Sequence, residues 1–184
     1  MRAVAIALGI VILLAGAAEA AAKEFVFREL GVAKEFPVDP TMPQEGYRTP
    51  LLGRAVPATV YEARADNIIF RFTIADLRAL DLIPRGASLY AECLAMAEAE
   101  GNILARMPQR VEDGTEHRVY GQLTSVDLAD GQGRKQTNCF LSKGRLYKVE
   151  SLVLPAHGEP NAAAAVRFST SLRFRIDQVF EDGR

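Results

Sequence analysis

The chain is short of the residues that most often carry chemistry. It has two histidines, His117 and His157, and two cysteines, Cys93 and Cys139. Neither histidine has a partner at H-x-x-x-H spacing, and there is no C-x-x-C pair. That argues against the common zinc and thiol-redox motifs. No G-x-S-x-G and no P-loop is present. Asp130-Gly131-Gln132-Gly133 is glycine-rich, but it joins two strand patterns and opens no helix. It therefore reads as a hairpin turn and not as a phosphate cradle. Serine–histidine catalysis needs a nucleophile, a base and an orienting acid, and Ser142, Ser169 and Ser171 are each explained by packing or solvent contact. No catalytic, cofactor-binding or metal-binding residue is assigned. The expectation is a protein that is not an enzyme and has no cofactor. The competing reading is an envelope enzyme whose site gathers distant residues around His117 or His157.

Net charge is also scarce. Lys and Arg number 22, Asp and Glu 23, for a formal charge of -1. Nothing in that balance recruits nucleic acid or an anionic membrane as a partner. With 184 residues, 49% of them hydrophobic, there is enough chain for one well-buried core, while two domains would be cramped.

What the chain does have begins at residue 2. Arg2 precedes an uncharged run over 3–18, AVAIALGIVILLAGAA. The run is short for a membrane span, which needs about 20 residues. Ala18-Glu19-Ala20 and Ala20-Ala21-Ala22 follow as A-x-A sites. This is the pattern of a cleavable secretory signal over 1–22, with a single domain over 23–184. No cysteine lies near the cleavage region, which argues against lipid attachment. The expected location is periplasmic or secreted, with no transmembrane segment after processing. In an oxidising compartment Cys93 and Cys139 can form one disulfide or remain two buried thiols, and spacing does not choose between them.

Residues 25–29 alternate as a short strand, and 32–36 form a second, closed by Pro37. Pro37, Pro40 and Pro43 mark an extended crossing, and 45–50 continue it as a loop. Residues 51–63 read as an interrupted strand, broken at Gly53 and Pro57. Asp66-Asn67 turns into the cleanest strand, with Ile68, Phe70, Phe72 and Ile74 on one face and Ile69, Arg71 and Thr73 on the other. A connection over 76–85 leads to the main helix, expected over 86–107. Its stripe is Leu89, Cys93, Met96/Ala97 and Leu104, and Pro108 stops it. Glu92, Glu98 and Glu100 are placed on its wet side. Strands follow over 117–127, 134–142 and 145–154. The last has apolar residues on both faces, as a covered central strand should. A second helix begins near Pro160 and carries Ala165, Phe168 and Leu172 on one stripe as far as 172 or 174. Residues 175–184 form a strand or tail.

This order predicts an α+β domain: a twisted antiparallel sheet of about six to eight strands, flanked by one long helix and one short C-terminal helix in an α/β/α-type sandwich. Arg134, Lys135, Lys143, Arg145 and Lys148 cluster in one hairpin, with no acid until Glu150. They form either a weak basic patch or a solvated edge guarded against strand pairing.

Certain residues carry a family likeness. They are Phe36-Pro37 with Pro40, Gly53, the strand Phe70, Phe72 and Ile74, then Gly144-Arg145-Leu146-Tyr147. Val166-Arg167-Phe168-Ser169 and Ser171-Leu172-Arg173-Phe174 complete the set. In this the chain resembles the PsbP-like α/β sandwich superfamily, in its uncharacterised bacterial exported branch. The resemblance covers most of the chain after residue 22. It implies a scaffold that mostly binds partners. With the export signal, the well-patterned fold and the absence of a catalytic set, the expected partner is an envelope protein or a small ligand. The resemblance implies no functional residue at any position and no photosynthetic role. Fold likeness alone does not assign a function.

Overall fold

The computed structural model describes residues 22–43, 46–48, 55–78, 82–112, 118–155 and 163–174. Ten strands and two helices occur among them, in α+β order. The strands are β1 (Lys23–Phe27), β2 (Val32–Phe36), β3 (Gly46–Arg48), β4 (Ala55–Ala65), β5 (Ile68–Asp76), β6 (Gly101–Glu112), β7 (Arg118–Leu128), β8 (Arg134–Ser142), β9 (Arg145–Val153) and β10 (Arg173–Phe174). The helices are the long α1 (Gly86–Ala99) and the short α2 (Ala163–Thr170).

Seven strands make one antiparallel sheet in the order β3-β4-β5-β9-β8-β7-β6. β9, with apolar residues on both faces, is the middle strand. Hydrophobic cover on both sides is what a central position requires. β8 and β9 are joined by Lys143-Gly144, which carry φ of 47° and 71°. Positive φ at both turn residues matches the twist of the flanking strands, which fixes the register of this hairpin.

The sheet has two buried faces. On one, Phe70, Phe72, Ile74, Phe140, Tyr147 and Val149 pack against α2 and against a second sheet, β1-β2-β10. Phe168 of α2 lies 5.1 Å from Phe36 and 5.0 Å from Phe70, both edge-on, so one ring joins three elements. On the other face α1 covers Ala75, Cys139 and Leu146 with Leu89 and Cys93. Cys93 is bonded to Cys139 with their Cα atoms 6.4 Å apart. That separation lies within the range of about 4.4–6.8 Å that a disulfide spans.

The structure corrects several boundaries. The helix expected over 86–107 stops at Ala99, and the chain turns into β6 at Gly101. A Cβ at Gly101 would stand 2.1 Å from the carbonyl oxygen of Asp127, so the residue marks a close strand approach, not a tolerated helical glycine. Along β6 the burial alternates, and Leu104, placed on the helical stripe, is 43% exposed. Pro108 sits inside this strand because β6 is the edge of the sheet, where a missing N–H is tolerated. The loop expected over 45–50 contains the short strand β3, paired with β4. β4 runs without interruption through Pro57, which stands opposite Gly46. The first strand begins two residues early, at Lys23. The second helix ends at Thr170, and Phe174 pairs with Val32 while its ring packs 5.1 Å from Tyr147. Residues 1–21, Gly53, Pro160 and 175–184 lie outside the described residues.

Candidate ligand-binding cleft

On the α1 side of the sheet the hydrophobic cover is incomplete, and polar side chains occupy the floor. Strand register lines up six of them across six strands. Glu62 of β4 stands opposite Arg71 of β5, and Arg71 opposite Glu150 of β9. Glu150 stands opposite Thr137 of β8, then come Thr124 of β7 and Arg106 of β6. Opposite charges on neighbouring strands stabilise such a rung. The adjacent rung runs Val60, Thr73, Lys148 and Cys139.

Between these rungs and α1 lies a cleft of about 460 Å³. Its described lining comprises Gly46, Tyr47 and Arg48 of β3, Val60 of β4, Arg71 and Thr73 of β5, Lys148 and Glu150 of β9, and Met96 of α1. The volume falls within the range of about 300–1,000 Å³ typical of small-molecule sites.

The electrostatics centre on Glu150. One carboxylate oxygen of Glu150 stands 2.8 Å from the Nζ of Lys135 and 2.8 Å from the Nζ of Lys148. Lys135 also pairs with Glu100 at 2.7 Å. Burial opposes ionisation of Glu150, but Lys148 and Lys135 outweigh it and hold its pKa below the ordinary carboxylate value. Burial likewise favours the neutral form of Lys135, and Glu150 and Glu100 reverse that, raising its pKa. Tyr47 behaves differently. Its phenol is pushed up to about 12, by burial first and then by the carboxylates of Glu92 and Glu150. Its hydroxyl oxygen is buried with no hydrogen-bond partner among the described residues.

The five hairpin cations are distributed by strand alternation. Lys135 and Lys148 stand on the α1 face, where only Lys148 lines the cleft. Arg134 and Arg145 occupy positions of the opposite parity, opposite Val153 and Ser142. Arg134 meets Asp127 at 2.7 Å and Arg145 meets Asp76 at 3.4 Å. Lys143 is exposed in the turn. Each of the four strand cations therefore faces an acid: Lys148 meets Glu150 of its own strand, and the other three meet acids of other elements. The acids placed on the wet side of α1 are engaged too: Glu98 grips Arg106 through two bonds of 2.6 and 2.9 Å. Asp130-Gly131-Gln132-Gly133 joins β7 to β8 as a turn. His117 and His157 lie outside the described residues.

Tyr47, Arg48, Arg71, Thr73 and Met96 carry no motif in the sequence. Arg71 and Thr73 read there only as one face of a strand, shared with Ile69. Their place in a cleft depends on β9, some 75 residues later, pairing beside them. Among the described residues no three His, Cys, Asp or Glu side chains gather as a metal site, and no helix is long and apolar enough to cross a membrane. No family model and no curated protein matches the chain.

Proposed function

We propose that this protein is an exported binding module of the cell envelope, periplasmic or secreted, without catalytic activity. Its scaffold is PsbP-like, and its ligand is a protein or a small molecule. The observation that carries the reading is the cleft beneath α1. Its described carboxylate, Glu150, is kept ionised between two ammonium groups. Held between Lys135 and Lys148, this carboxylate shapes and charges the surface of the cleft. The described lining comes from β3, β4, β5 and β9 with Met96 of α1, and the disulfide Cys93–Cys139 ties α1 to the same sheet at β8. A cleft lined by a sheet and a helix tied to it suits recognition.

Export is supported by the uncharged run over 3–18 with its A-x-A sites, and by a bonded cysteine pair, which persists in oxidising compartments. Three measurements test the proposal. Intact mass of the protein released by osmotic shock should show a mature start near Ala21 or Lys23. An intact Met1 would overturn export. Native purification from the envelope should bring down a protein or small-molecule companion. Robust hydrolase or oxidoreductase turnover by the pure protein would sink the binding-module reading.

A further inference from the structure

We propose that the cleft takes a small organic anion, a carboxylate carried on a short apolar body. The inference rests on the binding-module reading and names the class of ligand. The polar inventory of the lining is one-sided. Arg48, Arg71 and Lys148 are cations that donate hydrogen bonds and accept none, and Thr73 and Tyr47 add hydroxyls. Glu150 is the one carboxylate among the described lining residues, and one of its oxygens already accepts from both Lys135 and Lys148.

The counter-charges stand behind the surface. Glu62, 3.9 Å from Arg71, and Glu100, 2.7 Å from Lys135, are not part of the described lining. Among its described residues the lining thus sets three cations, Arg48, Arg71 and Lys148, against the single carboxylate Glu150, while Glu62 and Glu100 lie outside it. A ligand that fits must bring acceptors and negative charge.

Tyr47 is an independent pointer. The residue is only 7% exposed, it lines the cleft, and its hydroxyl has no partner among the described residues. Buried hydroxyls are nearly always bonded, so this one has donor capacity to spare beside the carboxylates of Glu92 and Glu150. Val60 and Met96 supply the apolar wall for the body of the ligand. Arg forks match a carboxylate in two-point geometry, which adds specificity to the attraction.

The test is isothermal titration calorimetry on the purified protein with three probes of one shape: hexanoate, hexanamide and hexylamine. Hexanoate should bind saturably at one site, with the amide and the amine at least about tenfold weaker, since each loses the charge-assisted bonds. Arg48→Glu changes an exposed side chain and should weaken hexanoate about tenfold, with folding retained. Met96→Trp fills the apolar wall and should abolish binding. The inference is overturned if hexanamide or hexylamine binds as tightly as hexanoate, or if hexanoate is indifferent to both variants. It is also overturned if no probe binds. Binding of the amide or amine that Met96→Trp abolishes would reject the anion and keep the binding module. Turnover of any probe would reject the module itself.

Discussion

Cys93 of α1 and Cys139 of β8 are both fully buried and bonded across 46 positions of the chain. The bond ties the helix that roofs the cleft to the sheet that floors it. Chain-entropy arguments give a loop of that length about 4 kcal/mol of stabilisation. The double variant Cys93→Ala/Cys139→Ala should therefore melt roughly 10 °C lower, with the same drop in the wild type under reductant. Calorimetry measures both. An unchanged melting temperature would mean that the bond closes nothing that packing does not already hold.

Lys34 gives a second prediction. Its ammonium is buried at the end of α2, where it donates to the Phe168 carbonyl and Ser171 hydroxyl and lies 3.6 Å from the centre of the Phe168 ring. No carboxylate pairs with it among the described residues. Burial, only partly offset by Glu35, lowers its pKa well below 10.5. Between that lowered value and 10.5 the unfolded chain binds more protons than the folded one, so stability rises with pH across this window. Below the folded pKa the cost of burying the charge is fully present. The Phe168 carbonyl also accepts from Ser171, so it keeps a partner if Lys34 is lost. Lys34→Met should be neutral or stabilising by about 1 kcal/mol at pH 7. Its advantage should shrink as pH approaches 10.5. Urea unfolding at pH 7 to 10 reads both effects, and a loss near 3 kcal/mol at pH 7 would contradict them.

Glu150 behaves in the opposite sense. Its pKa is lowered in the folded protein, with burial opposing and Lys148 and Lys135 prevailing. Its contribution is therefore present above 4.5, the unfolded value, and lost as pH falls through the folded value. Glu150→Gln leaves two buried ammonium groups with less compensation and should cost about 3 kcal/mol at pH 7. The acid limb of the stability profile should flatten in the same variant. A variant as stable as wild type would show that Glu100 alone suffices for Lys135.

Gly101→Ala separates two readings of one stretch by sign. Inside an exposed helix the change would gain about 1 kcal/mol. Here the new Cβ would meet the Asp127 carbonyl oxygen at 2.1 Å, and backbone does not yield easily. A loss of about 2 kcal/mol is expected in chemical denaturation. A gain would place Gly101 in a helix after all.

The helix that Gly101 ends shows where local pattern stops being informative. Leu89, Cys93 and Ala97 recur at helical spacing and are buried under that pattern. Beyond Gly101 the apolar residues Ile103, Leu104, Ala105 and Met107 fit a helical or a strand period about equally. Pairing with β7 decides for the strand, because it satisfies a row of backbone groups that no local contact supplies. Phe174 is a similar case. Its apolar character extends the stripe of α2, but Lys34 and Asn138 take the carbonyls of Phe168 and Ser169, and the chain leaves the helix to pair with β2.

The strands β2, β5, β8 and β9, the two-residue turns and the central place of β9 were determined by the sequence alone. Alternation with period two and turn residues at positive φ are local properties, carried by a few neighbouring side chains. The cysteine pairing, the second small sheet and the cleft were decided by tertiary structure. Each depends on which strands lie side by side. Tyr47, Arg71 and Lys148 come from three strands scattered over a hundred residues, and only the sheet order makes them neighbours. A sequence with few histidines and cysteines has little chemistry to announce by spacing. The lining of its cleft includes ordinary arginine, lysine and tyrosine, and strand pairing sets them around one space.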